Sequence, residues 1–167
     1  MTAQSDPLRA FAARDLARLA TLGGLPPVTA PADAAAALGG DPEQYGRHFL
    51  GHPPQETFWS PATVDGFDGP VKIWFRDGRV VKIEGEWPGL SPDDVAALGP
   101  PEAELDYRRD VAVVTGGEKV WAASGVAVKL NRSGRQVIAL SVFPATTVDG
   151  FTAGVRGADD YRESPTP

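Results

Sequence analysis

Two histidines and a neighbouring carboxylate are the residues whose types and spacing could support catalysis or metal binding. They are His48, His52 and Glu56, in the stretch GRHFLGHPPQE. On a helix this spacing would place both imidazoles on one face, where the carboxylate could act as a third ligand or in acid–base chemistry. A glycine and two prolines in the same stretch break such a helix. We therefore expect no metal here, and we keep the three residues as an alternative pocket between helices and a sheet.

Other common catalytic arrangements are missing from the sequence. The chain has no cysteine, which excludes disulfide bonds, thiolate nucleophiles and thiolate metal sites. It has neither a Gly-x-Ser-x-Gly elbow nor a phosphate-binding loop, and TGGEK at residues 115–119 is interpreted as a hairpin turn. Asp93 and Asp94 are better explained as charges at a helix N-terminus than as a catalytic pair. The sequence favours a non-catalytic protein without a cofactor, with a small enzyme or small-molecule-binding protein as the alternative.

The composition is typical of one globular domain with an acidic surface. The 167 residues are 42% apolar and 23% charged, and the formal net charge is −6. This charge disfavours nucleic acids and anionic membrane surfaces and suits a protein partner with a basic surface. Charged residues among the apolar positions of residues 1–24 are typical of neither a signal peptide nor a membrane span, so we expect a cytoplasmic protein.

Helical patterns dominate the first 50 residues. Apolar positions spaced by three or four predict one amphipathic helix from Asp6 to Gly23. An alanine-rich helix is predicted at residues 33–38, and Asp41-Pro42-Glu43 indicates a further helical turn toward Leu50.

Two β-hairpins are predicted, 56 residues apart, from strict alternation around turn residues. In the first, a three-residue loop with Gly78 in the left-handed conformation would place Ile73 and Ile83 on one face. The second hairpin runs from Val126 to Pro144 around an Asn-Arg-Ser-Gly turn, with a loop that we expect to be one residue longer. Between the hairpins, the pattern predicts a short helix at residues 92–98 and strands at residues 104–110, 111–115 and 119–123.

A short echo in the sequence does not follow the hairpin repeat. PATVDGF occupies residues 61–67 and PATTVDGF occupies residues 144–151, so the echo precedes the first hairpin but follows the second. Because proline with Asp-Gly is common turn chemistry, we interpret the two copies as similar turns.

The stretch GLSPDDVAALGPP at residues 89–101 resembles a known family signature. Ser91 is placed to cap the helix, Asp94 to complete a capping box and Gly99 to end it. This "G-apolar-S/T … V-x-x-L-G-x-P" arrangement resembles the BamE/SmpA-type module, which is also found in tandem in beta-lactamase-inhibitory proteins. Residues 33–42 (DAAAALGGDP) are similar in part. The resemblance implies helices packed on one face of a small antiparallel sheet, and two modules in tandem would make a longer sheet that binds protein. A similar layout is found among small intracellular immunity proteins.

The predicted architecture is therefore α+β, with N-terminal helices followed by an antiparallel sheet built from two helix-plus-hairpin units. We assign residues 1–155 to one domain with half-repeats at 33–88 and 89–144, and residues 156–167 to a mobile tail. Alternation places Trp74 on the polar face, where it is either covered by another element or exposed as an interface anchor. The leading hypothesis is an inhibitor or immunity-type protein that binds its partner on this face. Its predicted binding residues are Lys72, Trp74, Arg76, Lys82 and Glu84.

Overall fold

Short helices precede an eight-stranded antiparallel sheet in a computed structural model that describes residues 6–40, 47–49, 57–109 and 114–156. The helices are α1 (Asp6–Ala12), α2 (Leu16–Leu22), α3 (Pro31–Ala37), α4 (Pro92–Val95) and α5 (Val148–Gly150). The strands are β1 (Arg47–Phe49), β2 (Thr57–Thr63), β3 (Pro70–Arg76), β4 (Arg79–Glu86), β5 (Ala103–Arg109), β6 (Val114–Trp121), β7 (Val126–Leu130) and β8 (Val137–Val142). The predicted α+β class, with helices ahead of an antiparallel sheet, is confirmed.

The strand order is β1-β2-β3-β4-β8-β7-β6-β5, and each neighbouring pair is antiparallel. Each half of the chain therefore supplies a helix followed by a four-stranded meander, and the last strands of the two meanders, β4 and β8, pair at the centre. The first half contains two strands, β1 and β2, that were not predicted, whereas the second half has strands at residues 103–109 and 114–121, where three strands were predicted between the hairpins. The duplication of residues 33–88 and 89–144 stays a prediction.

The first helical segment is two helices and not the single helix that the apolar spacing predicts. The chain turns at Arg14, whose φ of 56° is left-handed. The side chain of Asp15 then accepts a hydrogen bond from the backbone N–H of Arg18 at 3.1 Å and caps α2. An aspartate in the middle of a helical pattern thus starts a new helix, because its short side chain satisfies N–H groups that would otherwise lack partners.

The β3–β4 hairpin reaches the predicted facing by another route. Its turn has two residues, Asp77 and Gly78, with φ values of 51° and 74°, as a type I′ turn requires. Phe75 therefore pairs with Val80, and a register shift after Trp74 brings Ile73 opposite Ile83. The predicted loop length of three residues was wrong. The bulge next to the two-residue turn nevertheless places the side chains on the predicted faces.

The second half also differs in detail from its predicted strands. The loop between Leu130 and Val137 spans residues 131–136, so it is longer than the first by four residues and not by one. The predicted turn at Gly116-Gly117 is wrong, because both glycines lie inside β6 and pair with Tyr107 and Asp106.

Two other predictions concern local turns. The capping box of α4 is confirmed: Ser91 Oγ accepts from the Asp94 N–H at 3.3 Å, and Asp94 Oδ2 accepts from the Ser91 N–H at 2.7 Å. The sequence echo does not form two similar turns. Its first copy ends β2 and turns the chain at Val64–Phe67, whereas Thr147 in the second copy caps α5.

Three further predictions concern parts of the chain that the structure describes only partly, or the length of its helices. The helical turn toward Leu50 is wrong at residues 47–49, which form β1, and residues 41–46 lie outside the described part. The predicted tail is described only at Arg156. None of the helices in the described ranges has the length and apolar composition needed to cross a bilayer.

The sheet has two faces with different coverings. Helices α1 to α3 and the turn after α4 pack on one face and enclose the larger apolar cluster, which includes Phe11, Ile73, Ile83, Val128 and Leu140. On the other face, α5 and its π-helical extension Phe151–Val155 pack over the smaller apolar cluster of Val120, Ala127 and Phe143. The second face is the one that carries the predicted binding residues.

Candidate functional site

The predicted binding residues lie on one face of β3 and β4, as the alternation indicates. In the register of β3 and β4, Lys72 lies opposite Glu84, and Trp74 lies opposite Lys82. The Lys82 ammonium nitrogen lies 5.8 Å from the centroid of the Trp74 ring, within range of a cation–π interaction. These four side chains therefore share the face that the alternation indicates, and their role in binding stays a prediction.

Their exposure differs from the prediction. Trp74, Lys82 and Glu84 each expose only 1% of their surface, and Lys72 and Arg76 are half-buried. A partner docking on the free protein cannot reach the first three side chains. Of the two alternatives that the sequence left open for Trp74, the structure agrees with the covered one, so Trp74 does not form the exposed platform that the leading hypothesis needs.

A buried carboxylate organises the centre of this face. Glu84 Oε2 accepts hydrogen bonds from Lys129 Nζ and from Ser141 Oγ, both at 3.1 Å. Lys82 Nζ lies 3.6 Å from the same oxygen. The four residues belong to β4, β7 and β8, and each residue is at most 2% exposed. Charges taken this far from water remain ionised only when they are paired, so the cluster cross-links three strands.

Burial has a measurable consequence for Lys129. Loss of hydration lowers the pKa of its ammonium group, and the nearby positive charge of Lys82 lowers it further. The carboxylates of Glu84 and Glu118 oppose this shift, but burial is the larger effect. The ammonium is therefore less favourable in the folded protein than in water.

The C-terminal helical segment covers the neighbouring part of the same face. The rings of Phe143 and Phe151 are 5.0 Å apart, and Val155 joins their apolar cluster. Beyond them, Arg156 Nε lies 3.3 Å from Oε1 of the buried Glu118. Apolar contacts and one ion pair thus hold this segment against the sheet.

The side chain best placed for an intermolecular contact is Trp87, at the end of β4. It is 45% exposed, and within the described ranges Val28 is the other large apolar side chain that is exposed. Its φ of 48° is left-handed, which is strained for a bulky residue and costs about 1–3 kcal/mol. A hydrogen bond of 2.8 Å from the Trp87 N–H to the Ile138 carbonyl holds this conformation. The indole is therefore presented to solvent on a fixed backbone.

A loop between β2 and β3 flanks Trp87. The Asp68 N–H donates to the carbonyl of Glu86, the residue before Trp87, at 2.8 Å. The Phe67 ring lies against the backbone at Gly85, where a Cβ atom would overlap it, and stacks on Phe11 at 4.9 Å. These contacts fix the loop against the end of β4. We call Trp87, Asp65 and Asp68 the Trp87 surface.

The Trp87 surface carries two carboxylates, Asp65 and Asp68, against one cation, Arg14, that touches the same loop. Arg14 donates to the Asp65 carbonyl at 2.6 Å and lies over the Phe67 ring. Lys72 Nζ is 2.7 Å from Glu86 Oε1. Within the described part of the chain, no cation pairs with the exposed carboxylates of Asp65 and Asp68.

A polar cleft of about 520 Å³ lies elsewhere, beside the β7–β8 loop. Its lining includes Glu104, Asp106, Lys119, Asn131 and Arg132. Several of these groups bind one another: Lys119 lies 3.8 Å from Glu104, and the Asn131 side chain accepts from its own loop. No histidine is among the described residues that line this cleft, so the cleft gives no support to the predicted alternative pocket.

That alternative pocket lies almost wholly outside the described residues. Only the backbone of His48 is described, in β1, and His52 and Glu56 are not. The hypothesis of a pocket at these three residues therefore stays a prediction.

Sequence reasoning missed Trp87 because it extended the strand alternation one residue too far. The alternation predicts Trp87 to be a buried strand residue, like Trp121, which is indeed 4% exposed. The following Pro88-Gly89 is the signal against this, since it is typical of a chain leaving a strand. Once the strand ends at Glu86, the side chain of Trp87 no longer has to face the core.

Together these features define an α+β protein with α1 to α3 on one sheet face, a buried charge cluster and a C-terminal helical segment on the other, and an exposed tryptophan at the end of β4. No protein-family model matches the chain, and no curated protein matches it. Among solved structures, the chain is similar to a DUF4309 family protein (YjgB) from Bacillus subtilis subsp. subtilis str. 168. The identity is 12%, the match covers 81% of this chain and 97% of that one, and the TM-score is 0.42.

Proposed function

We propose that this chain is a non-catalytic protein-binding protein, of the inhibitor or immunity type, that docks through the Trp87 surface. The observation that carries the proposal is the exposed indole of Trp87, held on a left-handed backbone by the Ile138 carbonyl. Tryptophan is enriched among the residues that dominate binding energy at protein interfaces. A backbone that keeps such a side chain in water at a conformational cost is typical of functional sites.

The rigidity of the surface also supports a binding role. The flanking loop is fixed through Phe67, which is 8% exposed and belongs to the larger apolar cluster. A surface that is already ordered loses little conformational entropy when it binds, so more of the contact energy appears as affinity. The BamE/SmpA resemblance and the cytoplasmic compartment remain part of this proposal, and the binding surface moves from the sheet face to the sheet end.

Affinity capture with wild type, Trp87→Ala and Val28→Ala tests the proposal. Partners captured from a lysate of the native host are identified by mass spectrometry, purified and titrated against each variant. Val28→Ala is the matched control, because it also removes an exposed apolar side chain, 67% exposed in this case. We expect Trp87→Ala to weaken binding by about 2 kcal/mol, roughly thirtyfold in Kd, and Val28→Ala to leave it unchanged. A partner that binds all three proteins equally would contradict the proposal.

A further inference from the structure

We infer that the partner of the Trp87 surface presents an arginine or lysine side chain to the indole, an inference that rests on the proposed function. The recognised chemistry is a cation stacked on Trp87 and paired with the carboxylates of Asp65 and Asp68. A surface that carries both an exposed aromatic ring and carboxylates is complementary to a guanidinium or ammonium group.

The first argument is the local charge. Asp65 and Asp68 are exposed, and both belong to the loop whose backbone is fixed to the end of β4. Lys72 pairs with the carboxylate of Glu86, whereas Arg14 binds the Asp65 main-chain carbonyl and the Phe67 ring, which are uncharged. With Arg14 counted against the two aspartates, the loop keeps one net negative charge, which attracts an incoming cation.

The second argument is the geometry of Trp87. Among the described residues, no ring stacks on the indole and no cation covers it, and nearly half of its surface meets solvent. Trp74 shows the contrasting case inside the same protein, where Lys82 lies over the buried indole at 5.8 Å. A purely apolar partner that covered the whole Trp87 surface would also bury the carboxylates of Asp65 and Asp68 without compensation, which costs free energy.

The test uses a small cation and its neutral analogue, N-acetyl-arginine amide and N-acetyl-citrulline amide. In citrulline a urea group replaces the guanidinium group, so shape is kept and charge is lost. Each is titrated into the ¹⁵N-labelled chain, and the chemical shift of the Trp87 indole N–H is followed. The chain has four tryptophans, and Trp87→Ala assigns the signal.

We expect arginine amide to shift the indole signal of Trp87 and the backbone amides of Asp65 and Asp68, and citrulline amide to have little effect. The Asp65→Asn/Asp68→Asn variant should lose this preference, and about 1 M NaCl should reduce it because the screening length falls to about 3 Å. Asp77→Asn, an exposed acid at the opposite end of β4, is the control and should behave as wild type. Equal shifts with both compounds, or no shift with either, would overturn the inference.

The two proposals can fail separately. With a purified partner, the double aspartate variant should lower the association rate constant by about tenfold at low ionic strength, because charges at an interface rim act mainly on association. If Trp87→Ala abolishes binding while the aspartate variant binds as wild type, the chain is still a binding protein and the cationic partner is refuted. If Trp87→Ala binds normally, both proposals are refuted.

Discussion

The buried charge cluster makes Glu84 a position where a nearly isosteric change should be costly. In Glu84→Gln the shape is kept, but Lys129 and Lys82 lose the negative charge that lies 3.1 and 3.6 Å from their ammonium nitrogens. With an effective dielectric constant of about 20, each attraction is about 5 kcal/mol before the cost of dehydration is subtracted. Removing one partner of a buried pair typically costs about 3–5 kcal/mol. Because the glutamine oxygen can still accept hydrogen bonds, we expect the free energy of unfolding to fall by about 3 kcal/mol, at the lower end of this range.

The expected pH dependence separates a charge effect from a packing effect. Burial already lowers the pKa of Lys129 below its value of about 10.4 in the unfolded chain, and loss of the Glu84 charge lowers it further. Between the folded and unfolded pKa values, the unfolded chain binds more protons, so the free energy of unfolding rises with pH. The interval between the folded and unfolded pKa values of Lys129 is wider in Glu84→Gln than in wild type. The difference in the free energy of unfolding between the two proteins should therefore become smaller as the pH is raised from 7 toward 10.

Urea unfolding followed by circular dichroism measures both effects. Glu86→Gln is the matched control, because its carboxylate also binds a lysine, at 2.7 Å, but is 26% exposed. We expect the control to lose about 1 kcal/mol or less. Adding Lys129→Met to Glu84→Gln should recover part of the stability, since the second change removes a buried charge. A loss no larger than that of the control, unchanged with pH, would refute the reasoning.

Other predictions concern backbone contacts and are checked by the same unfolding measurements. Gly116→Ala should cost about 2 kcal/mol or more, because its Cβ would overlap the Leu130 carbonyl oxygen, whereas Gly117→Ala has open space and should cost less than about 1 kcal/mol; equal losses would be inconsistent with this packing. Asp77→Val should cost about 1–2 kcal/mol because a β-branched residue disfavours the left-handed turn position, and a neutral effect would argue against a type I′ turn. Trp121→Phe removes the indole hydrogen bond to a main-chain carbonyl and should cost about 1 kcal/mol, with no loss expected only if that bond is absent.

Local sequence rules predicted much of the fold because they act over a few residues. The capping box at Ser91 and Asp94, the facing of Ile73 and Ile83, and the order of helices before an antiparallel sheet all follow from caps and alternation. Rules of this kind do not position a bulge. The predicted loop length of the first hairpin was therefore wrong, although the predicted faces of its strands were right. A two-residue loop with a bulge and a three-residue loop without one place the same side chains on the same face.

Glycine was the least reliable predictor of local structure, because a glycine in a turn and a glycine at a close backbone contact look the same in the sequence. Gly78 does mark a turn, as its neighbours suggest. Gly116 instead lies inside β6, where its missing side chain allows the backbone at Leu130 to approach closely. The sequence shows that a position lacks a Cβ atom, but only the tertiary structure shows whether that absence serves a turn or a close contact.

Trp74 is buried and Trp87 is exposed, whereas the strand alternation favoured Trp74 as the exposed tryptophan. The two residues show why the site could not be predicted from the sequence. Alternation correctly assigned Trp74 to the face opposite the main core, and lysines and glutamates on that face are normally a mark of solvent. Here Glu84 satisfies Lys129 and Ser141 inside the protein, so a polar pattern accompanies burial. Whether such charges find partners depends on β7 and β8, which are distant in sequence from β4. Trp87 depends instead on one backbone angle at a strand end, so the surface that we propose for binding lies where the alternating pattern stops.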